Sequence, residues 1–458
     1  MESRHSRASG NPAWWRRLWT PAFAGVTERR AVGLAFLFHF VVLASYYVLR
    51  PIRDDIGAAG GLESLSWLFT ATLGAMLVAN VLFSAAAARL SRRRFIPLAY
   101  RFFIVTLGAF WLLMQADPAG AVSWVGRAFY VWVSVFNLFV VSVFWAFMAD
   151  TFASEQGKRL FGFIAVGGTL GAILGGVVTA GLVDRLGSAN LLIVSALLLE
   201  VAVWCVKLFP EGAATPAKND PAHPEWPLGG TFWSGIAHVF RSPYLLGISA
   251  FMLLHSVTST LIYFQQADIA GQAFTDRAAR TAFFAQLDIA VNVLTVLMQL
   301  FLTGRLLKAI GVGATLALLP VVSLAGFAAM AAAPSLALLA AFQVARRAVN
   351  YAVSRPAREV LFTVLPREDK YKAKAFTDTF VYRAGDQVGA WTYPALRALG
   401  LGLAGVSWVG VPLAAGWVAL SVWLGRRQAG PQSRWARTNT VPETGLAPYS
   451  ASSSAGSR

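Results

Sequence analysis

Charged side chains stand inside stretches built mostly from Leu, Ala, Val and Phe. The segment YYVLRPIRDDIG, Tyr46–Gly57, closes one such stretch with Arg50, Arg53, Asp54 and Asp55 around Pro51. Arg127, Glu200 and His255 lie further along, followed by Asp288 with Asn292, Arg346 and Arg347 with Asn350, and Arg383 with Asp386. Residues three or four apart share one face of a helix. Arg50/Arg53, Asp288/Asn292, Arg346/Asn350 and Arg383/Asp386 therefore read as polar stripes. Pro51 lacks an N–H, and is expected to disturb its helix and free backbone groups there. A guanidinium presents a planar fork of donors that fits a carboxylate or a phosphate. Embedded Arg outnumbers embedded Asp, so a wet cavity lined by these groups favours an anion. Asp288 and His255 are the residues suited to carrying a proton.

A charge at the centre of a spanning helix costs roughly 2.5–3.5 kcal/mol on insertion, so each of these groups needs a cavity or a partner. Plainer roles stand beside the binding roles. Arg127 and Arg101 can snorkel to a membrane surface. His255 can be a hydrogen-bonded packing residue, and Glu200 can pair with a buried Arg. Arg50 and Arg53 can anchor a helix end as well as gate a cavity mouth. Asp288 and Arg383 can form a mutual ion pair.

The elements that must hold these residues follow from composition. Apolar residues make up 57% of 458 and charged residues only 13%, about half the usual charged share of a soluble protein. The bilayer is the solvent that accommodates such a chain. One cysteine, Cys205, excludes a disulfide framework and a cysteine-based zinc site. The net charge of +17 is read as Lys and Arg gathered on one membrane face rather than as a nucleic-acid surface. A span needs about 20 apolar residues, and twelve candidates begin near Ala31, Leu65, Phe95, Val122, Leu160, Ala189, Pro243, Thr281, Gly313, Ser335, Ala375 and Leu403.

Residues 1–29 form a poorly structured extension that resembles a translated intergenic repeat, with the true start expected just before Thr27. Residues 30–209 form a first six-helix bundle. Residues 210–242 are a Pro-rich linker ending in an interfacial helix. Residues 243–425 form a second six-helix bundle, and residues 426–458 a disordered tail. Basic loops at Arg89–Arg94, Lys158–Arg159, Arg305–Lys308 and Arg367–Lys374 place those loops and both termini on the cytoplasmic face of a bacterial inner membrane.

The two halves repeat. ARLSRRRF, Ala88–Phe95, and GRLLKAIG, Gly304–Gly311, lie 216 positions apart, and Gly167/Gly171 match Gly385/Gly389 at 218. Glycines spaced by four make a smooth face for close helix packing or for sliding. Parallel six-helix repeats are similar in plan to the major facilitator transporters, which bind solute between the halves near mid-membrane. The basic loop resembles that superfamily's loop signature without its usual acidic residue.

Three stretches also resemble the nucleotide transporters of plastids and obligate intracellular bacteria, the ATP/ADP translocase type. They are LRPIRD (Leu49–Asp54), FW (Phe144–Trp145) with EQGKRLFGFIAVGGTLG (Glu155–Gly171), and LPREDKYKAKAFTDTFVYRAGDQVG (Leu365–Gly389). In this resemblance Arg53 stands where the family has Lys, and so does Asp386. The family implies exchange of nucleotides. With an anion in the cavity, Arg53, Arg346 and Arg383 are expected to contact it, Arg346 because helix 10 lines the cavity in the major facilitator plan, and Lys374 to meet it at the cytoplasmic mouth. Asp288 and Asp386 are then expected to pair with those arginines in the empty site.

No phosphate loop, GxSxG or HExxH is present, and the five His show no metal-ligand spacing. The chain therefore reads as an all-α polytopic membrane protein and not an enzyme: a secondary transporter of an anionic solute working by alternating access. Its partners are the bilayer and the solute, with no cofactor, no nucleic acid and a monomeric state. Proton-coupled transport of another small molecule through Asp288 or His255 is the alternative within that class. A transport-inactive scaffold or sensor is the alternative outside it.

Overall fold

A computed structural model describes residues 26–89, 92–116, 123–152, 154–210, 242–362 and 376–429. All of its regular structure among these residues is helical. The first bundle holds α1 (Val26–Ala59), α2 (Leu62–Arg89), α3 (Arg92–Ala116) and α4 (Trp124–Thr151). The helical run Ser154–Lys207 is two rods, because Gly187 sits at φ 77° and turns the chain; we call residues 154–186 α5 and residues 188–207 α6. The second bundle holds α7 (Pro243–Ala273), α8 (Arg277–Phe301) and α9 (Thr303–Ala332). It continues with α10 (Leu336–Leu361), α11 (Thr377–Ala398) and α12 (Leu403–Ala429).

Among the described residues, nine stretches are long and apolar enough to cross a bilayer, and Leu160–Lys207 contains two rods. Helices α10 and α11 fall outside that set. Both carry the arginines singled out above, and both contain a π-helical turn, at Asn350–Ser354 and Thr377–Val381. A π turn displaces carbonyls from the regular ladder, and the hydroxyl of Thr303 donates to the carbonyl of Ala352 at 2.8 Å.

Three expectations shift. Helix α1 begins at Val26, inside the segment read as an extension, with Glu28 in its first turn where the helix dipole favours an acid. Pro51 does not end α1; the helix continues eight residues beyond it to Ala59, so Arg50 and Arg53 sit on an unbroken rod. Helix α12 runs to Ala429, and Arg426 and Arg427 occupy its last turn, which the dipole favours for cations. The linker residues 211–241, the loop 363–375 and residues 430–458 lie outside the described residues.

The repeat is visible in packing. Helix α5 lies on α1 with Gly167 against the carbonyl of Phe36 and Gly171 against that of Phe40. Helix α11 lies on α7 with Gly385 against the carbonyl of Leu253 and Gly389 against that of Val257. Phe36 and Leu253 are 217 positions apart, as are Phe40 and Val257. Two equivalent seams thus recur within one residue of the glycine offset of 218, and a Cβ at these glycines would overlap backbone or side chain across the seam.

The bundles meet where α1 packs on α7 and α8, α2 on α11, and the Ser154–Lys207 rods on α8. Cross-bundle contacts gather near the α1 C-terminus. Ser66 donates to the carbonyl of Ala390 at 2.6 Å, Thr70 bonds Gln387 at 3.0 Å, and Gly271 lies against Ala58. Between the bundles lies a cavity of about 280 Å³.

Candidate solute-binding site

Six helices wall the cavity: α1, α2, α4, α7, α10 and α11 contribute, with α2 and α4 supplying mainly Phe69, Met76, Tyr130 and Asn137. Six arginines line it, namely Arg50, Arg53, Arg346, Arg347, Arg355 and Arg383, against the two lining carboxylates of Asp54 and Asp386. Asp288 stands just behind the wall at 1% exposure. It is joined to Arg50 at 3.3 Å and to Arg347 at 2.7 Å, both through Oδ1. Arginine thus exceeds aspartate by three, and a solvated cavity of that sign attracts anions.

On α1, Arg53 approaches Asp54 at 3.4 Å and lies 4.8 Å over the Tyr130 ring. Tyr263 from α7 donates to Asp54 at 2.9 Å, and its hydroxyl stands 3.3 Å from that of Tyr130. On α11, Arg383 pairs with Asp386 at 3.2 Å, while Asp386 also accepts from Ser256 at 2.6 Å. Arg346 differs. It is 3% exposed, and its guanidinium reaches only neutral oxygens: Ser323 at 3.2 Å, the His255 carbonyl at 3.3 Å, Thr258 at 3.2 Å and Ser259 at 2.8 Å. His255 lines the cavity between Tyr382 and Trp417.

Arg50, Arg53, His255, Arg346, Asn350, Arg383 and Asp386 therefore come together at one cavity. Asn292 does not line it; its amide folds back to donate to the carbonyl of Asp288 at 2.8 Å. Arg127 is exposed and borders a separate groove with Gly60, Gly61 and Trp67, where snorkelling accounts for it. Lys374 lies outside the described residues. Asp288 serves Arg50 and Arg347 rather than Arg53, Arg346 or Arg383, because Arg347 is the neighbour whose face of α10 turns toward α8. Asp386 pairs with Arg383 as expected.

Asp55 leaves the site altogether. It is fully buried and takes Arg277 at 2.9 Å and Arg280 at 2.6 Å, both from α8 of the other bundle. Glu200 pairs with Arg101 at 3.1 Å away from the cavity. Sequence reasoning noted Arg347 as an embedded charge but gave it no place in the site, and it passed over Arg355, Tyr130, Tyr263, Tyr351 and the Gln266–Gln343 amide pair at 2.7 Å. A signal existed: Gln343, Arg346, Arg347, Asn350 and Ser354 form a polar stripe at helical spacing along α10.

The sequence model of the Major Facilitator Superfamily matches residues 32–357. The chain belongs to the Major Facilitator Superfamily. No curated protein matches it. Solved transporters of this superfamily's shape are similar in fold. A bacterial homologue of the human lysosomal transporter Spinster, inward-facing and unoccupied, shares 13% identity over 91% of this chain and 98% of its own, with a TM-score of 0.52. The nucleoside transporter NupG shares 15% over 87% and 98%, at 0.58. The peptide transporter PepTSo shares 12% over 90% and 99%, at 0.61. At these identities the likeness is one of fold. This superfamily member is a multi-pass membrane transporter rather than an enzyme, and its Arg-lined cavity lies between its two bundles.

Proposed function

We propose that this transporter carries a small anionic solute by alternating access, and that exchange of nucleotides or other phosphorylated metabolites is its sharpest form. The observation that carries the reading is the excess of arginine over aspartate around the cavity. Arg50, Arg53, Arg347 and Arg383 are each held by a carboxylate. A solute anion replaces those carboxylates one for one, so internal pairing and solute compete for the same donors. The three stretches that resemble the ATP/ADP translocases support phosphate as the anionic group. The basic loops support a bacterial inner membrane with both termini in the cytoplasm.

Uptake of labelled ATP and ADP into proteoliposomes tests this. Internal nucleotide should stimulate uptake, and Arg383→Ala should abolish it. Uptake indifferent to internal nucleotide rules exchange out.

Proton coupling is favoured by one observation: Asp288 is buried, and its Oδ2 has no hydrogen-bond partner among the described residues. If an imposed pH gradient drives accumulation and Asp288→Asn abolishes it, the carrier is a proton symporter.

A further inference from the structure

The cavity arginines fall into two electrostatic kinds. Arg50, Arg53, Arg347 and Arg383 each sit within 3.4 Å of an aspartate. Arg355, exposed, lies 4.7 Å over the ring of Tyr351. Arg346 is the buried exception: among the described residues no carboxylate lies within ion-pair distance of it. An unpaired buried charge costs several kcal/mol, and four neutral oxygens fix its orientation without cancelling it. Those oxygens come from α7 and α9, so the second bundle alone positions this charge.

Two other polar groups line the same cavity. The Arg346 bonds use Nε and Nη2, leaving Nη1 without a partner among the described residues. Ser259 accepts from Arg346 at 2.8 Å and keeps its own O–H to give. The Nδ1 of His255 is buried with no hydrogen-bond partner among the described residues, on a residue 5% exposed that lines the same cavity.

We propose that Arg346, His255 and Ser259 form a standing anion seat that receives one compact oxyanionic group. This rests on the cavity being the solute site, and it deepens that reading. The solute brings two anionic groups. One enters the seat with no internal rival, and the other displaces Asp288 from Arg50 and Arg347. The shared chemistry is an oxyanion, supplied either by free inorganic phosphate or by a phosphate of the organic solute.

Thermal melting of the purified protein, titrated with inorganic phosphate at constant ionic strength, tests the seat. Wild type should be stabilised saturably. Arg346→Gln should lose the response, Ser259→Ala should weaken it by about tenfold, the loss of one charge-assisted bond, and Arg101→Gln should retain it. Where Arg346→Gln does not fold, Ser259→Ala decides. ATP should compete with phosphate, marking the seat as part of the organic solute's site. A seat that binds phosphate but ignores ATP is a site for free phosphate, and the two-group solute is then wrong. A response equal in Arg346→Gln and wild type, or absent in wild type, overturns the seat even if nucleotide exchange is measured. A seat confirmed in a protein that exchanges no organic anion sinks the transport reading and leaves the seat.

Discussion

Helices α1 and α8 are joined twice, each time by one aspartate bridging two arginines, and the two bridges are built differently. Near the α1 C-terminus Asp55 uses both oxygens, one for Arg277 and one for Arg280, and is sealed from solvent. At the cavity Asp288 shares a single oxygen between Arg50 and Arg347, and its other oxygen has no hydrogen-bond partner among the described residues. Its arginines keep 15% and 12% of their side chains exposed. A saturated triad around a sealed carboxylate has nothing left to offer a ligand, so it acts as a fastener between the bundles. An unsaturated triad on a wet wall has donors that a solute can take over. The same chemistry becomes lock or binding site according to how many bonds are left unmade.

The largest effect that sharpens this contrast is expected from Asp55→Asn. It leaves two arginines facing a neutral amide in place of a sealed carboxylate, at a cost of about 3–5 kcal/mol. Melting should drop substantially. Cysteine introduced as Ser66→Cys, in a background lacking Cys205, should become reactive toward a membrane-impermeant reagent. Unchanged melting and reactivity would show that Asp55 fastens nothing.

Asp288→Asn should cost less, about 1–3 kcal/mol, because its arginines stay hydrated from the cavity. Its signature is instead a gain in anion affinity, since the internal competitor for Arg50 and Arg347 is gone. Melting and solute binding measured on both variants decide the matter. If Asp288→Asn destabilises as much as Asp55→Asn and binds anion no better, the two triads are equivalent and the contrast fails.

A step smaller is Tyr263→Phe. The phenol of Tyr263 donates to Asp54 and touches Tyr130 across the bundles. Its removal should cost about 1 kcal/mol and free Asp54 to compete harder for Arg53, raising the solute concentration needed for half-maximal exchange. A variant with lower half-saturation would reverse the role given to Asp54.

The spans, the repeat and the arginine-rich cavity could be read from sequence, because apolar length, glycine offset and misplaced charge are local or periodic signals. The pairing could not. Asp54 and Asp55 are neighbours, yet one faces the cavity and the other a seam, since adjacent helical residues point about 100° apart. Arg346 and Arg347 are separated in the same way, one unpaired and one serving Asp288. Which of two neighbours faces which helix depends on rotation of the rod about its axis, and that is fixed by packing such as the Gly171–Phe40 seam. Pro51 misled for a related reason: loss of one backbone bond is tolerated where neighbouring helices hold the rod in place.

The finest test lies inside the lock itself. Arg280 is 9% exposed, reaches Asp55 at 2.6 Å and also donates to the carbonyl of Phe274 at 3.1 Å. Arg277 is 33% exposed and makes the single bond to Asp55 at 2.9 Å. Exposure to solvent discounts an ion pair to about 0–1 kcal/mol, so Arg277→Ala should barely move the melting curve. Arg280→Ala should move it clearly, because it orphans a buried carboxylate oxygen and a carbonyl together. If the two substitutions destabilise equally, the strength of the fastener comes from charge count alone. Burial and saturation would then no longer distinguish it from the pair at the cavity.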